Sequence, residues 1–470
     1  MRCRKEGSLN ERYAEYMSLG QVAVRHFKLG ETQVSSFCKK VKDMQGQRSF
    51  KGVPGGWWGG LALFALAGTT GALMRYWMLV GFPGWANFVN VRHAHSHLMY
   101  FGWVTPALML LIAANLPAQT GKPVPGGVRA ISGAALGTAG LAYLPFLLYG
   151  YELAPVLGKS LPLSVIASSL NILVWYAFAL WYRKATRGVR RDRNRNPALR
   201  LWDGAVLFLL LASTGAWARG ALMGMKVDDP FLGDAAVHLF LDLFSEGWLQ
   251  LGLLGLVYAA LPAIPAPDRW ANRLLFAGLP LTFLLGVPIH LVPTALRLIA
   301  GVAGGMAALG VALHLWNIWK SAGQGGLRFW GLVLAIWAVK LAMLLGVSIP
   351  PLARWGETMV LRILYLHVFL LGTVTLGLLA SAQQTWGKEA IASQTGFRVA
   401  VLALLASLIP LTGLWPQALG GRWRLAFAAL AAWGPVVMAL FSLVSASRRA
   451  RWVMRTKGLQ TGETDSVRIQ

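Results

Sequence analysis

From residue 57 onward the chain is one apolar run after another, each about 20 residues long and divided from the next by a short polar break. A helix of that length crosses the roughly 30 Å of hydrocarbon in a bilayer. Backbone placed in lipid has to satisfy its own hydrogen bonds, and for runs this long the α-helix does so. About twelve spans are read, near 57–81, 95–117, 128–150, 160–183, 201–223, 235–262, 271–293, 294–317, 327–349, 357–381, 397–416 and 424–446. The boundary between the seventh and eighth, at "IHLVPT", is the least sharply marked. The expected fold class is all-α, a polytopic membrane bundle. Residues 1–55 read as a basic cytoplasmic tail, 56–447 as the transmembrane domain and 448–470 as a second basic cytoplasmic tail.

A formal charge of +26 raises the question of nucleic acid, but the cations are not spread over a soluble face. They gather in "YRKATRGVRRDRNRNPALR" (Tyr182–Arg200), a short loop between spans four and five, and in "SRRARWVMRTK" after the last span. Short Lys/Arg-rich loops stay cytoplasmic. With an even number of spans, that rule puts both termini inside, as in a bacterial-type inner membrane, with lipid as the partner and no nucleic acid. Residues 1–50 lack the apolar stretch of a secretory signal and read as a cytoplasmic tail or an over-extended start, since Met17 and Met44 could also begin the chain. Cys3 and Cys38 both lie there, so the spans contain no thiolate metal site, no disulfide framework and no CxxCH for covalent haem.

The histidines carry the functional signal. In "VRHAHSHLMYFGWVTP", His93, His95 and His97 stand at the lip of span two. His238 lies in the first turn of span six, His290 near the exit of span seven and His367 about ten residues into span ten. On the expected topology these six converge on the outer half of the membrane. His314 and His26 receive no role. Ionisable groups in a membrane are costly, and gathered at one depth they mark function. Imidazole is an axial ligand of haem iron and a frequent ligand of copper and non-haem iron. In "VHLFLDLFSEGWLQL", His238, Asp242 and Glu246 fall within about 80° on one helical face. That stripe suits either metal ligation or a proton relay.

These residues resemble those of the catalytic subunits (subunit I) of haem–copper oxidases and nitric oxide reductases. In that superfamily helices two and ten hold a low-spin haem, and helices six, seven and ten supply a second metal centre. "HSHLMYFGWVTP" from His95, with Pro106 eleven positions on, is similar to the helix-two pattern. "HLFLDLFSE" is similar to the "HLWVEGVWE" of the reductases, and "YLHVFLLGTVTLG" to the helix-ten segment in which a Gly, here Gly372, follows the ligand His by five residues. The chain also resembles the NnrS family, in "HSHLMYFG" and "HVFLLGTVTL".

The resemblance implies a haem, of b type, between His95 and His367. His97 is the alternative ligand, since residues two apart on a helix point about 160° from each other. The sequence departs from the family at Tyr365, where the proximal His of an active-site haem is expected, and at His290, which stands alone. Tyr365 then reads as a haem ligand or as a packed tyrosine. His238, His290 and Asp242 or Glu246 would form a two-His, one-carboxylate set for non-haem iron or copper, with Asp242 and Glu246 as the catalytic carboxylates. Arg219, Arg297, Arg354 and Arg362 are candidates to pair with haem propionates.

The function so implied is electron transfer to a metal centre, with oxygen or nitric oxide as acceptor. The donor would be a separate cytochrome c or a quinol, since no copper-A or cytochrome c motif is present. The alternatives are an NnrS-like haem or metal protein without turnover, and a proton-coupled transporter without cofactor. The transporter ranks last, because the two halves of the chain show no paired interruptions.

Overall fold

The computed structural model describes residues 52–189, 196–261, 269–321 and 329–466. The amino-terminal tail with both cysteines, and most of the basic cluster after Val189, lie outside the described residues. The helices are α1 (Gly55–Val80), α2 (Phe88–Thr120), α3 (Val128–Tyr149), α4 (Leu163–Thr186), α5 (Pro197–Gly224), α6 (Pro230–Ala260), α7 (Arg269–Gly278), α8 (Thr294–Ser321), α9 (Gly331–Val347), α10 (Met359–Glu389), α11 (Gln394–Leu411) and α12 (Trp423–Arg449). Helix continues beyond α12 to Ser466, so much of the expected carboxy-terminal tail extends the last span. Among the described residues ten helices are long and apolar enough to cross a membrane. An eleventh follows if α9 is joined to Pro350–Gly356, which departs from it at 113°. This is a multi-pass, all-helical membrane protein.

Local chemistry sets the helix starts. Asn87 accepts from Val89 N–H at 2.8 Å, Asp229 from Leu232 N–H at 2.8 Å, and Ser393 from Gly396 N–H at 3.0 Å. Each answers an amide that has no partner within its own helix. Pro197 and Pro230 occupy first-turn positions, where a missing N–H costs nothing. The loop between α3 and α4 is a small antiparallel hairpin, β1 (Ala154–Val156) with β2 (Lys159–Leu161). Its two-residue turn, Leu157–Gly158, has positive φ at both positions.

The expected span at 271–293 is not continuous. α7 stops at Gly278, a 3-10 turn follows at Leu279–Leu281, and a single helical turn covers Phe283–Gly286. Pro280 lies in the 3-10 stretch, and Val287, just before Pro288, is extended (φ −64°, ψ 137°). Both follow from what proline does to its own N–H and to the residue before it. The buried Arg297 then donates from Nη1 to the carbonyls of Leu284, Leu285 and Val287 at 3.0–3.3 Å, closing the frayed end.

α2, α6 and α10 form the middle of the bundle. Of their most apolar windows 94%, 83% and 72% are buried, against 28% to 44% in the other long spans. These same three helices each contain a π-helical stretch: Leu98–Val104, Leu243–Leu249 and Val368–Thr375. Such widened turns cost hydrogen-bond geometry and are found mostly at functional sites. Trp103 Nε1 donates to Thr375 Oγ1 at 3.1 Å, tying the π stretches of α2 and α10 together.

Candidate functional site

Two histidines stand on helices whose π stretches are joined, and each is held in the same manner. His95 Nδ1 lies 2.7 Å from the Ala67 carbonyl of α1. His367 Nδ1 lies 2.7 Å from the Ile363 carbonyl one turn earlier on α10. An imidazole that donates from Nδ1 to a carbonyl presents a lone pair at Nε2, the arrangement in which histidine ligates metals. Both rings are only partly covered by protein, so each keeps accessible surface. They are close enough to interact electrostatically, and Arg75 of α1 acts on both.

The His95 ring lies directly on α1 at Gly71. A Cβ there would stand 2.8 Å from His95 Cε1 and 3.0 Å from Nδ1, so only glycine leaves room for the ring. The donor set fits a bis-imidazole haem: two tautomer-fixed histidines on facing helices, in an apolar surround, with a cation beside them.

His97, the alternative ligand, faces elsewhere. It stacks on Phe146 of α3 at 3.8 Å between centroids, and its Nε2 lies 3.1 Å from Tyr151 Oη. His93 packs edge-on against the same Tyr151 at 4.8 Å. Burial pushes the Tyr151 phenol above its ordinary range, so the hydroxyl keeps its proton and can donate to His97. Of the triplet, His95 alone is turned to the α1 and α10 side.

The α6 stripe has different neighbours from those expected. His238 Nδ1 lies 3.1 Å from Asp242 Oδ2, and Gly286 presses on that pair so closely that a Cβ would be 2.1 Å from the ring. One turn on, Glu246 is paired with Lys340 of α9 and accepts from Tyr365 Oη at 2.7 Å. Lys340, wholly buried, also donates to Gln250 Oε1 at 2.9 Å and sits 5.0 Å from the centre of the Phe369 ring. Trp337 Nε1 donates to Gln250 Oε1 at 3.2 Å. Tyr100 of α2 and Ser245 of α6 are 3.4 Å apart through their hydroxyls.

Among the described residues no three His, Cys, Asp or Glu side chains come together as a metal-holding group. His290 is exposed in the turn after the broken helix, and Glu246 is occupied by an ammonium. The residues present therefore do not fit the expected second metal centre of His238, His290, Asp242 and Glu246. Tyr365, the other candidate ligand, spends its hydroxyl on Glu246.

Of the candidate propionate arginines two bond to backbone carbonyls: Arg297 caps the broken helix and Arg362 Nη2 lies 3.4 Å from the Gly286 carbonyl, while Arg354 and Arg219 are exposed. The sequence reading missed two cations, Arg75 and Lys340. Each is a lone charge inside an apolar run, which is the signal that could have found them.

No family model matches the chain, and no curated protein matches it. A chain of a heme-copper terminal oxidase dimer, solved by cryo-EM, superposes with a TM-score of 0.58 at 11% identity. The match covers 82% of this chain and 81% of that one. Of the two resemblances seen in the sequence, the structural likeness is to the oxidase. The chain has the fold of a heme-copper oxidase, an all-helical membrane bundle.

Proposed function

We propose that this is a membrane haem protein of the oxidase fold that moves electrons through one low-spin b-type haem, which His95 and His367 would hold. The observation that carries this reading is the matched pair of imidazoles, each with Nδ1 on a backbone carbonyl and its ring only partly covered. Haem bound there would supply one-electron chemistry. The chain's own residues fix the two ring orientations, keep water out with the packed π stretches of α2 and α10, and hold the His95 ring against Gly71. Electrons would come from a separate cytochrome c or a quinol, in a bacterial-type inner membrane with both termini inside. Asp242 and Glu246 act in this reading as holders of charge or protons, because their oxygens already serve His238, Lys340 and Tyr365.

Absorption spectra of the purified protein, oxidised and reduced, test the proposal. The narrow bands of a bis-imidazole haem are expected in the native protein, and His95→Ala and His367→Ala should each abolish them while the protein stays in the membrane. An unaltered spectrum in His367→Ala would overturn the assignment. Absence of haem after gentle purification would overturn the function. Loss in His97→Ala with retention in His95→Ala would transfer the ligand to His97. A second, non-haem metal in stoichiometric amount would bring back the reductase reading, with oxygen or nitric oxide as acceptor.

A further inference from the structure

Arg75 is a buried cation that nothing among the described residues answers. It keeps 8% of its surface, and among the described residues it forms no hydrogen bond, ion pair or stacking contact. Other arginines at helix ends are satisfied: Arg297 by the carbonyls of Leu284, Leu285 and Val287, Arg398 by Phe329 O at 2.8 Å, Arg449 by Glu389 O at 3.1 Å. Guanidinium stays charged at any physiological pH, and an isolated buried charge costs several kcal/mol unless it is paired. A group of opposite sign is required beside it.

Position on the helix says where that group lies. Arg75 is four residues beyond Gly71, hence on the same face of α1 one turn nearer its carboxy-terminal end. Helical side chains lean toward the amino terminus and cover the preceding turn. That turn is Gly71, which has no side chain and on which the His95 ring rests. The charge of Arg75 also reaches His367. No Asp or Glu of the described residues pairs with it, so an anion beside Arg75 would have to come from a bound group next to the two histidines.

We propose that Arg75, one turn from the Gly71 seat of the His95 ring, is an anion-binding residue and takes a carboxylate of the haem held by His95 and His367. The inference rests on the haem reading above. It replaces Arg219, Arg297, Arg354 and Arg362 with a residue of α1. Guanidinium and carboxylate make two parallel N–H···O bonds, which positions as well as attracts.

The test is a titration of full-length protein from haem-limited cells with haemin and, separately, with haemin dimethyl ester, followed by the Soret band. The native protein should prefer the free acid by roughly tenfold or more, the range of one charge-assisted pair. Arg75→Leu should bind both forms about equally, and its haem should have a lower midpoint potential, since a cation beside the iron favours the reduced state. Arg75→Lys should recover part of the preference, which separates lost charge from a folding defect. Equal binding of acid and ester by the native protein, or the same preference in Arg75→Leu, overturns the inference and leaves the haem reading standing. It would also point to a lipid phosphate or a free anion as the partner of Arg75. Failure of the native protein to bind haemin with a bis-imidazole spectrum removes the haem reading instead.

Discussion

Around Glu246 the protein answers its own buried charges: an ammonium and a phenol reach the carboxylate, and Gln250 and the Phe369 face take up the rest of Lys340. Around His95 and His367 it does not. Both rings are fixed from behind by carbonyls, and Arg75 waits beside them without a partner. The two regions share α10, with Tyr365 and His367 two residues apart, so burial alone does not distinguish them. What distinguishes them is satisfaction of charge, since Glu246 and Lys340 answer each other even though Gln250 Nε2 is left without a partner. A closed set of donors and acceptors stabilises a fold or stores a proton, whereas an open set borders a ligand.

The largest expected effect lies on the closed side. Lys340→Met would leave Glu246 charged and unpaired in the core, at a cost of about 3–5 kcal/mol. Combining it with Glu246→Gln should restore most of that loss, because both charges are then gone. Denaturant unfolding in a mild detergent measures both variants. If Lys340→Met is nearly neutral, the pair is not the closed unit described here, and the contrast with the histidine site fails.

Gly71→Leu attacks the open side. Its side chain would enter space held by the His95 ring, where even a Cβ lies 2.8 Å from Cε1. Overpacking of this kind costs about 1–3 kcal/mol, while the haem spectrum should be lost altogether. Gly286→Leu makes the matching test at α6, since it meets His238 and Asp242 in the same way. It should destabilise to a similar degree and leave the haem bands unchanged. Loss of haem in both variants would mean that the regions are coupled rather than distinct.

Much of this was legible in the sequence. The apolar runs specify the spans because length against bilayer thickness is nearly a one-variable problem. His95 and His367 were legible too, as imidazoles that lipid would otherwise exclude. Three things were not. The break after Gly278 depends on Pro280 and Pro288 acting together with Arg297, a partner in the next helix. The π stretches of α2, α6 and α10 leave no mark on apolar periodicity. Spacing along α6 suggests one face for His238, Asp242 and Glu246, but it says nothing of which neighbour arrives, and Glu246 lies in a π stretch. Lys340 comes from α9, 94 residues away in sequence, and makes Glu246 half of an ion pair.

A comparable effect on stability, with none on the haem spectrum, is expected at Tyr365. Tyr365→Phe removes one hydrogen bond to an ionised acceptor while Lys340 remains, which should cost about 1.5–3 kcal/mol. If Tyr365 were an iron ligand, the same change would alter the haem spectrum. The closed-set description expects a spectrum identical to that of the native protein.

The smallest effect belongs to His290. It was counted in the sequence among the ligands of a second metal because it is the one histidine of the seventh apolar run. The break in that run places it instead in the exposed turn after Phe283–Gly286, where Glu357 Oε1 accepts from Ile289 N–H at 2.7 Å and fixes the backbone. The anchor is the neighbouring amide, so His290→Ala should change stability by less than about 0.5 kcal/mol, as surface substitutions do. It should leave the haem bands and total metal content as they are. Metal analysis on His290→Ala beside His238→Ala is the sharpest form of the comparison. A metal that leaves with either histidine would mean that α6 is an open set after all, completed by a closure that draws the turn inward. Unchanged metal in both would keep ligand chemistry at His95, His367 and Arg75, and leave α6 with charge alone.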